Sequence, residues 1–276
     1  MTFQVVPAPI LPRRAFLADL GKGAFALAVV SVAGCAPSTE QSGSPVGSGS
    51  PVGSGSPDAG GTDPAGTGTS QPPGSANVGA GVEWTRVNLG FVSAYLLVRN
   101  GEAAVVDTGV GGSADAIEAS LAGIGLGWHA VGHVILTHRH QDHVGSAADV
   151  LSRAPSAKGY AGAEDIPAIT VPRALTAVAD GDTVFGLTIV ATPGHTPGHV
   201  CVLDAASGLL VAGDALNNRD GKLAGSSPQN TDDPIAAKAS VVKLGKLSFE
   251  TLLVGHGEPI EGGASEQVAR LAASLG

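Results

Sequence analysis

The segment Thr137–Gly145, THRHQDHVG, places His138, His140, Asp142 and His143 within six residues. Neutral imidazole and carboxylate are the natural ligands of zinc and similar divalent cations. His138 and His140 are two residues apart, so in an extended loop they point the same way. Asp142 and His143 follow where a helix begins and can face a neighbouring point. The segment therefore has the makings of a metal centre.

Other residues of the same types sit in equivalent places. Asp107 follows the apolar run AAVV, His138 follows HVILT, and His195 follows TIVATPG. Asp214 follows LLVAG and His256 follows TLLVG. Five strand ends bearing His or Asp point to one rim of an α/β fold, where ligands bind. His129 and His133 precede a buried strand and are assigned no ligand role. His199 opens an alternating strand and is given a structural or solvent-facing place. Cys201 alternates with Val200 and Val202 and is expected to be a core thiol.

The elements that would position these residues are legible in outline. Phe91–Val98 and Glu102–Asp107 have strand composition and are joined by Asn100-Gly101, a strong hairpin signal. Ser113–Ile124 is expected to be a helix with Ser113 as N-cap. His133–Thr137, Thr183–Ala191, His199–Asp204, Leu209–Ala212 and Thr251–Val254 are expected strands. Val144–Ser152, Asp233–Leu244 and Ser265–Leu275 are expected helices. The loose alternation implies an α/β domain with a mixed sheet. Asn217–Asp232 is long and polar, carries Arg219 and Lys222, and is expected to be a loop bordering the pocket.

The chain has 276 residues, 43% hydrophobic and 14% charged, enough for a sizeable core. Its formal net charge is −9. Residues 1–34 contain Arg13, Arg14 and Lys22 against Asp19, so the acidity lies in the remainder. Such a balance argues against nucleic acid as a partner, because phosphate binding needs clustered Lys and Arg. A small-molecule substrate is expected instead.

The N-terminus carries export signals in order. Arg13-Arg14 forms a twin-arginine n-region, Gly23–Val32 is a short apolar run, and Val32-Ala33-Gly34-Cys35 resembles a lipobox. Residues 1–35 are thus expected to be a twin-arginine signal with Cys35 as the lipidation site. Residues 36–82 repeat GSPVGS and have almost nothing to bury, which implies a flexible linker. Residues 83–276 would form the folded domain. The implied location is outside the cytoplasm, held to the membrane by lipid.

His138, His140, Asp142, His143, His195, Asp214 and His256, with Asp107 in AAVVDTG, resemble the metallo-β-lactamase superfamily in order and spacing. The resemblance implies an αββα sandwich with mixed sheets and a metal site at one edge. It implies that His138, His140 and His195 hold a first metal, and Asp142, His143 and His256 a second. Asp214 would bridge the two, with Asp107 supporting from behind. Zinc is the favoured ion, with iron or manganese also compatible. The implied reaction is hydrolysis of an ester, thioester, lactone or related bond by a metal-bridging hydroxide, with Asp142 and Asp214 as the catalytic carboxylates.

Asp at position 214 resembles the glyoxalase II and lactonase-like branches. Glyoxalase II carries a further helical region after its last histidine. Only twenty residues follow His256 here, which weighs against a glutathione thioester. The alternatives are a β-lactam hydrolase, a mononuclear-iron oxidoreductase resembling persulfide dioxygenases, and a non-catalytic binding lipoprotein.

Overall fold

A computed structural model describes residues 81–275. The expected signal, Cys35 and residues 36–80 of the expected linker lie outside the described residues. Among those described, no helix is long and apolar enough to cross a membrane.

The first sheet contains β1 (Glu83–Asn88), β2 (Ser93–Arg99), β3 (Glu102–Val106), β4 (Val131–Ile135), β5 (Lys158–Gly162) and β6 (Thr176–Val178), in that spatial order. The β1–β2 and β2–β3 pairs are antiparallel, and the later pairs are parallel. Asn100 and Gly101 both take positive φ in the β2–β3 turn, as an Asn-Gly hairpin requires. The second sheet is built from β7 (Thr183–Val184), β8 (Leu187–Ala191), β9 (Val200–Asp204) and β10 (Leu209–Val211). A separate hairpin, β11 (Leu216–Arg219) and β12 (Lys222–Gly225), follows before β13 (Thr251–Leu253) and β14 (Ile260–Glu261). The order in the second sheet is β14-β13-β10-β9-β8-β7, with β10 and β13 parallel and the rest antiparallel.

The period of two along the strands sorts side chains between layers. Tyr95, Leu97 and Ile135 of the first sheet meet Ile189, Val202 and Leu253 of the second in the central core. The other face, with Leu96 and Val105, is covered by α1 (Ala114–Gly123) and, beyond the short α2 (Gln141–Val144), by α3 (Ala147–Arg153). The outer face of the second sheet, with Leu210 and Leu252, is covered by α4 (Pro234–Leu244) and α5 (Ala264–Ser274). The result is the expected αββα sandwich. Each fully buried Leu or Ile contributes about 1.5–3 kcal/mol by leaving water.

The local differences from expectation have simple causes. The stretch expected as one strand over Thr183–Ala191 is a tight hairpin, turned at Phe185-Gly186, both with positive φ. Ser113 precedes α1 but makes no side-chain cap; its backbone N–H donates to Ser146 Oγ instead. Asp233 does cap α4, accepting from the N–H groups of Ile235 and Ala236. Val82 is buried, and its N–H donates to Asp204 Oδ2 at 2.8 Å.

Candidate metal centre

The five strand-end residues do converge. Asp107 follows β3, His138 follows β4, His195 follows β8, Asp214 follows β10 and His256 follows β13. All of them but Asp107 join His140, Asp142 and His143 in three overlapping donor groups: His138, His140 and His195; His138, His143 and Asp214; Asp142, His143 and His256. Within each group the donor atoms lie within 4.8 Å of one another.

The hydrogen bonds behind the rings decide which nitrogen faces the centre. Thr137 Oγ1 donates to Asp107 Oδ2 at 2.7 Å, so it accepts the Nδ1–H of His138 at 3.1 Å. That leaves the His138 Nε2 lone pair facing inward. Thr231 Oγ1 donates to the Ser227 carbonyl, so it accepts from His195 Nδ1 at 3.4 Å. The inward Nε2 atoms of His138 and His195 both approach His140 Nδ1, at 3.1 and 3.0 Å. Three ring nitrogens in such a cluster, two of them bare lone pairs, suit a shared cation.

The second trio is built the same way. His143 Nδ1 donates to Asp107 Oδ2 at 2.8 Å, and His256 Nδ1 donates to the Phe91 carbonyl at 2.7 Å. Their Nε2 atoms face the carboxylates. His256 Nε2 lies 3.2 Å from Asp142 Oδ2 and 3.2 Å from Asp214 Oδ2. His143 Nε2 lies 3.3 Å from Asp214 Oδ1. Both of those last atoms are buried without an aligned hydrogen-bond partner, which is costly in a protein interior. A divalent cation satisfies such orphaned donor atoms, so the residues present fit a metal. Asp214 Oδ2 also lies 3.4 Å from His195 Nε2. One carboxylate thus reaches histidines of both trios.

The electrostatics divide along the same line. Burial lowers the His138 pKa well below its ordinary value and that of His195 to about 4, against the pull of Asp214. Burial also opposes charge on His143, but Asp107 and Asp214 outweigh it and raise the pKa to about 10. His256 is likewise desolvated, yet Asp142 and Asp214 raise it to about 9. Asp214 is pushed up by burial and held well below the carboxylate range by His143 and His256.

Backbone constraints fix the geometry. Asp107 sits at φ +60, a left-handed position that Asp tolerates better than most residues. Its carboxylate accepts from Thr137 N, Thr137 Oγ1 and His143 Nδ1. Gly255 precedes His256, and a Cβ there would collide with Asp214 Oδ1 and come within 2.6 Å of His143 Cε1. The His256 loop is tied to the first sheet by Ser93 N–H to the Gly255 carbonyl and by Tyr95 O–H to the Val254 carbonyl.

Two supports lie behind the cluster: Asp165, which was not predicted, and His199, which takes the structural one of its two expected places. His199 is buried rather than solvent-facing. Its Nε2 accepts the Asp214 N–H at 3.1 Å, and its Nδ1 pairs with Thr192 Oγ1 at 2.8 Å. Burial lowers its pKa to about 3, keeping it a neutral acceptor. Asp165, fully buried, binds the Arg139 backbone and side chain together with Thr196 Oγ1 and Gly198 N–H. It braces the turn that carries His138 and His140 against the loop after His195. His129 and His133 are outside the cluster, and Cys201 is a buried free thiol, as expected.

The expected loop at Asn217–Asp232 contains the β11–β12 hairpin. Asp220 and Gly221 both have positive φ, the requirement of a two-residue type I′ turn. The Asp-Gly pair was the available signal, masked by polar flanks without alternation. The segment does border a cavity of about 400 Å³ at the metal centre, walled by Asp142, Asp214, His256, Arg219, Gln229 and Thr231 among others.

Comparison with known proteins agrees with this geometry. Residues 87–256, more than half the chain and including Asp107 and all seven cluster residues, match the model of the metallo-beta-lactamase superfamily. The chain is 29% identical to the uncharacterized protein YobT of Bacillus subtilis (strain 168), over 60% of this chain and 83% of that one. It is 36% identical to a hydroxyacylglutathione hydrolase of Acidiphilium cryptum (strain JF-5), over 59% of this chain; it spans 63% of that relative's length. Among solved structures, a protein crystallised in a di-iron-bound form, TTHA1623, aligns with TM-score 0.54 and 26% identity, over 65% of this chain and 93% of that one. The metallo-β-lactamase SMB-1 aligns with TM-score 0.57 and 19% identity, over 72% and 92%, a likeness of fold alone. The chain belongs to the metallo-β-lactamase superfamily.

Proposed function

We propose that this metal-dependent hydrolase works with two divalent cations. His138, His140 and His195 would hold one, and Asp142, His143 and His256 the other. Asp214 would be shared between them, and the bond cleaved would be an ester, thioester, lactone or related acyl bond. The observation that carries this reading is the reach of Asp214, whose Oδ2 lies 3.4 Å from His195 and 3.2 Å from His256.

When bound, the cations supply a water of lowered pKa and polarise the scissile bond, so no Ser or Cys nucleophile is needed. Asp142 is the more exposed of the two inner carboxylates, its side chain 29% accessible against 8% for Asp214. It is placed to orient the attacking water and take its proton. Asp107, Thr137, Thr231 and the Phe91 carbonyl accept from the outer ring nitrogens, so that the inner nitrogen of each ring is the one offered to a cation. An all-nitrogen-and-oxygen donor set accepts zinc, iron or manganese. The di-iron form of TTHA1623 supports room for two ions in such a site. Similarity to a protein named hydroxyacylglutathione hydrolase supports an acyl bond.

The order of Arg13-Arg14, the apolar run and Cys35 supports twin-arginine export, lipidation at Cys35 and tethering through residues 36–82.

The test is metal content of protein purified without chelator, alongside hydrolysis of a lactone, a thioester, a phosphodiester and a cephalosporin. About two metals per chain, and turnover of an acyl substrate that Asp214→Ala abolishes, are expected. A single iron with oxygen-dependent turnover, or full activity in Asp214→Ala, would overturn the reading.

A further inference from the structure

We infer that His199 is a positioning residue for the shared carboxylate, acting through a closed chain of hydrogen bonds behind Asp214. The inference rests on the proposed two-cation reading, in which Asp214 serves both ions.

The chain starts at the backbone of Asp214. Its N–H donates to His199 Nε2 at 3.1 Å, so that nitrogen carries no proton. The ring proton of His199 therefore sits on Nδ1 and is donated to Thr192 Oγ1 at 2.8 Å. Cys201 Sγ donates to the Ala212 carbonyl at 3.4 Å. Its lone pairs are left for the Thr192 hydroxyl, 3.2 Å away, which has no other acceptor among the described residues. Only this direction of donation gives every one of these buried groups a partner. The chain runs from the Asp214 N–H through His199, Thr192 and Cys201 and returns to Ala212. A second ring proton, or the other tautomer, would break it.

Both ends of the chain lie on one turn, Ala212–Asp214, which follows β10 and carries the carboxylate. Thr192, His199 and Cys201 are each 1% exposed or less, which shields the chain from water. The same turn holds the His256 loop. Ala212 N–H donates to the Leu253 carbonyl at 2.8 Å, and Gly255 N–H to the Gly213 carbonyl at 2.9 Å. Gly213 has φ +48, and a Cβ there would come within 2.9 Å of His199 Nε2 and 2.7 Å of Thr137 Oγ1. The turn thus approaches His199 too closely for any side chain at 213. The His199 ring also backs that of His138, with centroids 5.2 Å apart and planes 29° from parallel. One side chain therefore sets both the peptide of the shared carboxylate and the tilt of a ring in the first trio.

An apolar trio of similar volume would fill this space with no polar group to satisfy. What imidazole, hydroxyl and thiol add is a defined orientation for the turn.

The test compares two variants of the full chain. His199→Phe keeps a flat ring but accepts nothing, whereas the amide oxygen of His199→Gln can receive the Asp214 N–H. Zinc affinity would be read by chelator competition on folded protein. His199→Phe should lose about 10–100-fold in affinity, for both ions because Asp214 is shared. His199→Gln should recover most of that loss. Turnover in His199→Phe should fall in kcat with KM unchanged, since His199 does not line the cavity. Nitrogen shifts of the metal-free wild type should show a proton on His199 Nδ1 and none on Nε2. Should His199→Phe fail to fold, the other end of the chain gives the same reading. Cys201→Ala should weaken zinc binding, Cys201→Ser should restore it, and unchanged affinity in Cys201→Ala would overturn the inference. Wild-type affinity in folded His199→Phe, a Gln variant no better than Phe, or a proton on Nε2 would each overturn it too. A single zinc per chain that still depends on His199 would count against the two-cation reading and not against the positioning role.

Discussion

Asp107 holds His143, its Oδ2 2.8 Å from the ring Nδ1, and the same oxygen accepts from Thr137 Oγ1 at 2.7 Å. Because Thr137 in turn receives the His138 proton, one carboxylate orients a histidine in each trio. Asp107→Ala should therefore weaken both metal positions. A loss of about 10–100-fold in metal affinity is expected, read by chelator competition. Unchanged affinity would show that the histidines orient themselves.

The metal-free protein should have a stability maximum near pH 6.5, the unfolded histidine value. His138, His195 and His199 have folded pKa values below 6.5. Their unfolded forms take up more protons, so stability falls as pH drops below 6.5. His143 and His256 are raised to about 10 and 9. Their contribution is complete below 6.5 and is lost as pH climbs toward those values. Adding metal should remove the alkaline decline, because a ligating imidazole carries no proton on the inner nitrogen. Urea midpoints across pH 5 to 10, with and without zinc, would check this.

Gly255→Ala should fold but bind metal poorly, since the added Cβ meets Asp214 and His143. Metal content should fall from about two ions per chain toward one, with hydrolysis lost. Wild-type loading would mean that the Val254–His256 loop shifts freely.

Cys35→Ser should move the protein from the membrane to the soluble extracytoplasmic fraction. Replacing Arg13-Arg14 by Lys-Lys should hold it in the cytoplasm. Membrane retention of Cys35→Ser would refute the lipid anchor.

How much of this was legible before the coordinates depends on what each residue needs. Asp107, His138, His195, Asp214 and His256 were visible because each ends a buried apolar strand, a local pattern. The β2–β3 hairpin was visible through Asn100-Gly101. The β11–β12 hairpin carries an equivalent Asp220-Gly221 signal, but Asn217, Asn218 and Lys222 hide the alternation. Strands β5 and β6 are short, and Gly159 and Gly162 weaken the first. Asp165 gave no signal at all, because its partners Arg139, Thr196 and Gly198 lie 26 to 33 residues away. His199 looked ordinary for a related reason. Its partner, the Asp214 N–H, belongs to another strand end.

The two halves of the centre rest on unequal foundations. His138, His140 and His195 are flanked by Arg139 and Thr196, which share the fully buried Asp165. His256 rests instead on a carbonyl in the turn of an edge hairpin whose side chain, Phe91, faces water. Opening that turn removes the partner of His256 Nδ1 without disturbing the Asp165 brace. The lifetimes of the two proposed ions should differ accordingly, with the one at His256 exchanging first and setting the resting metal stoichiometry when supply is short.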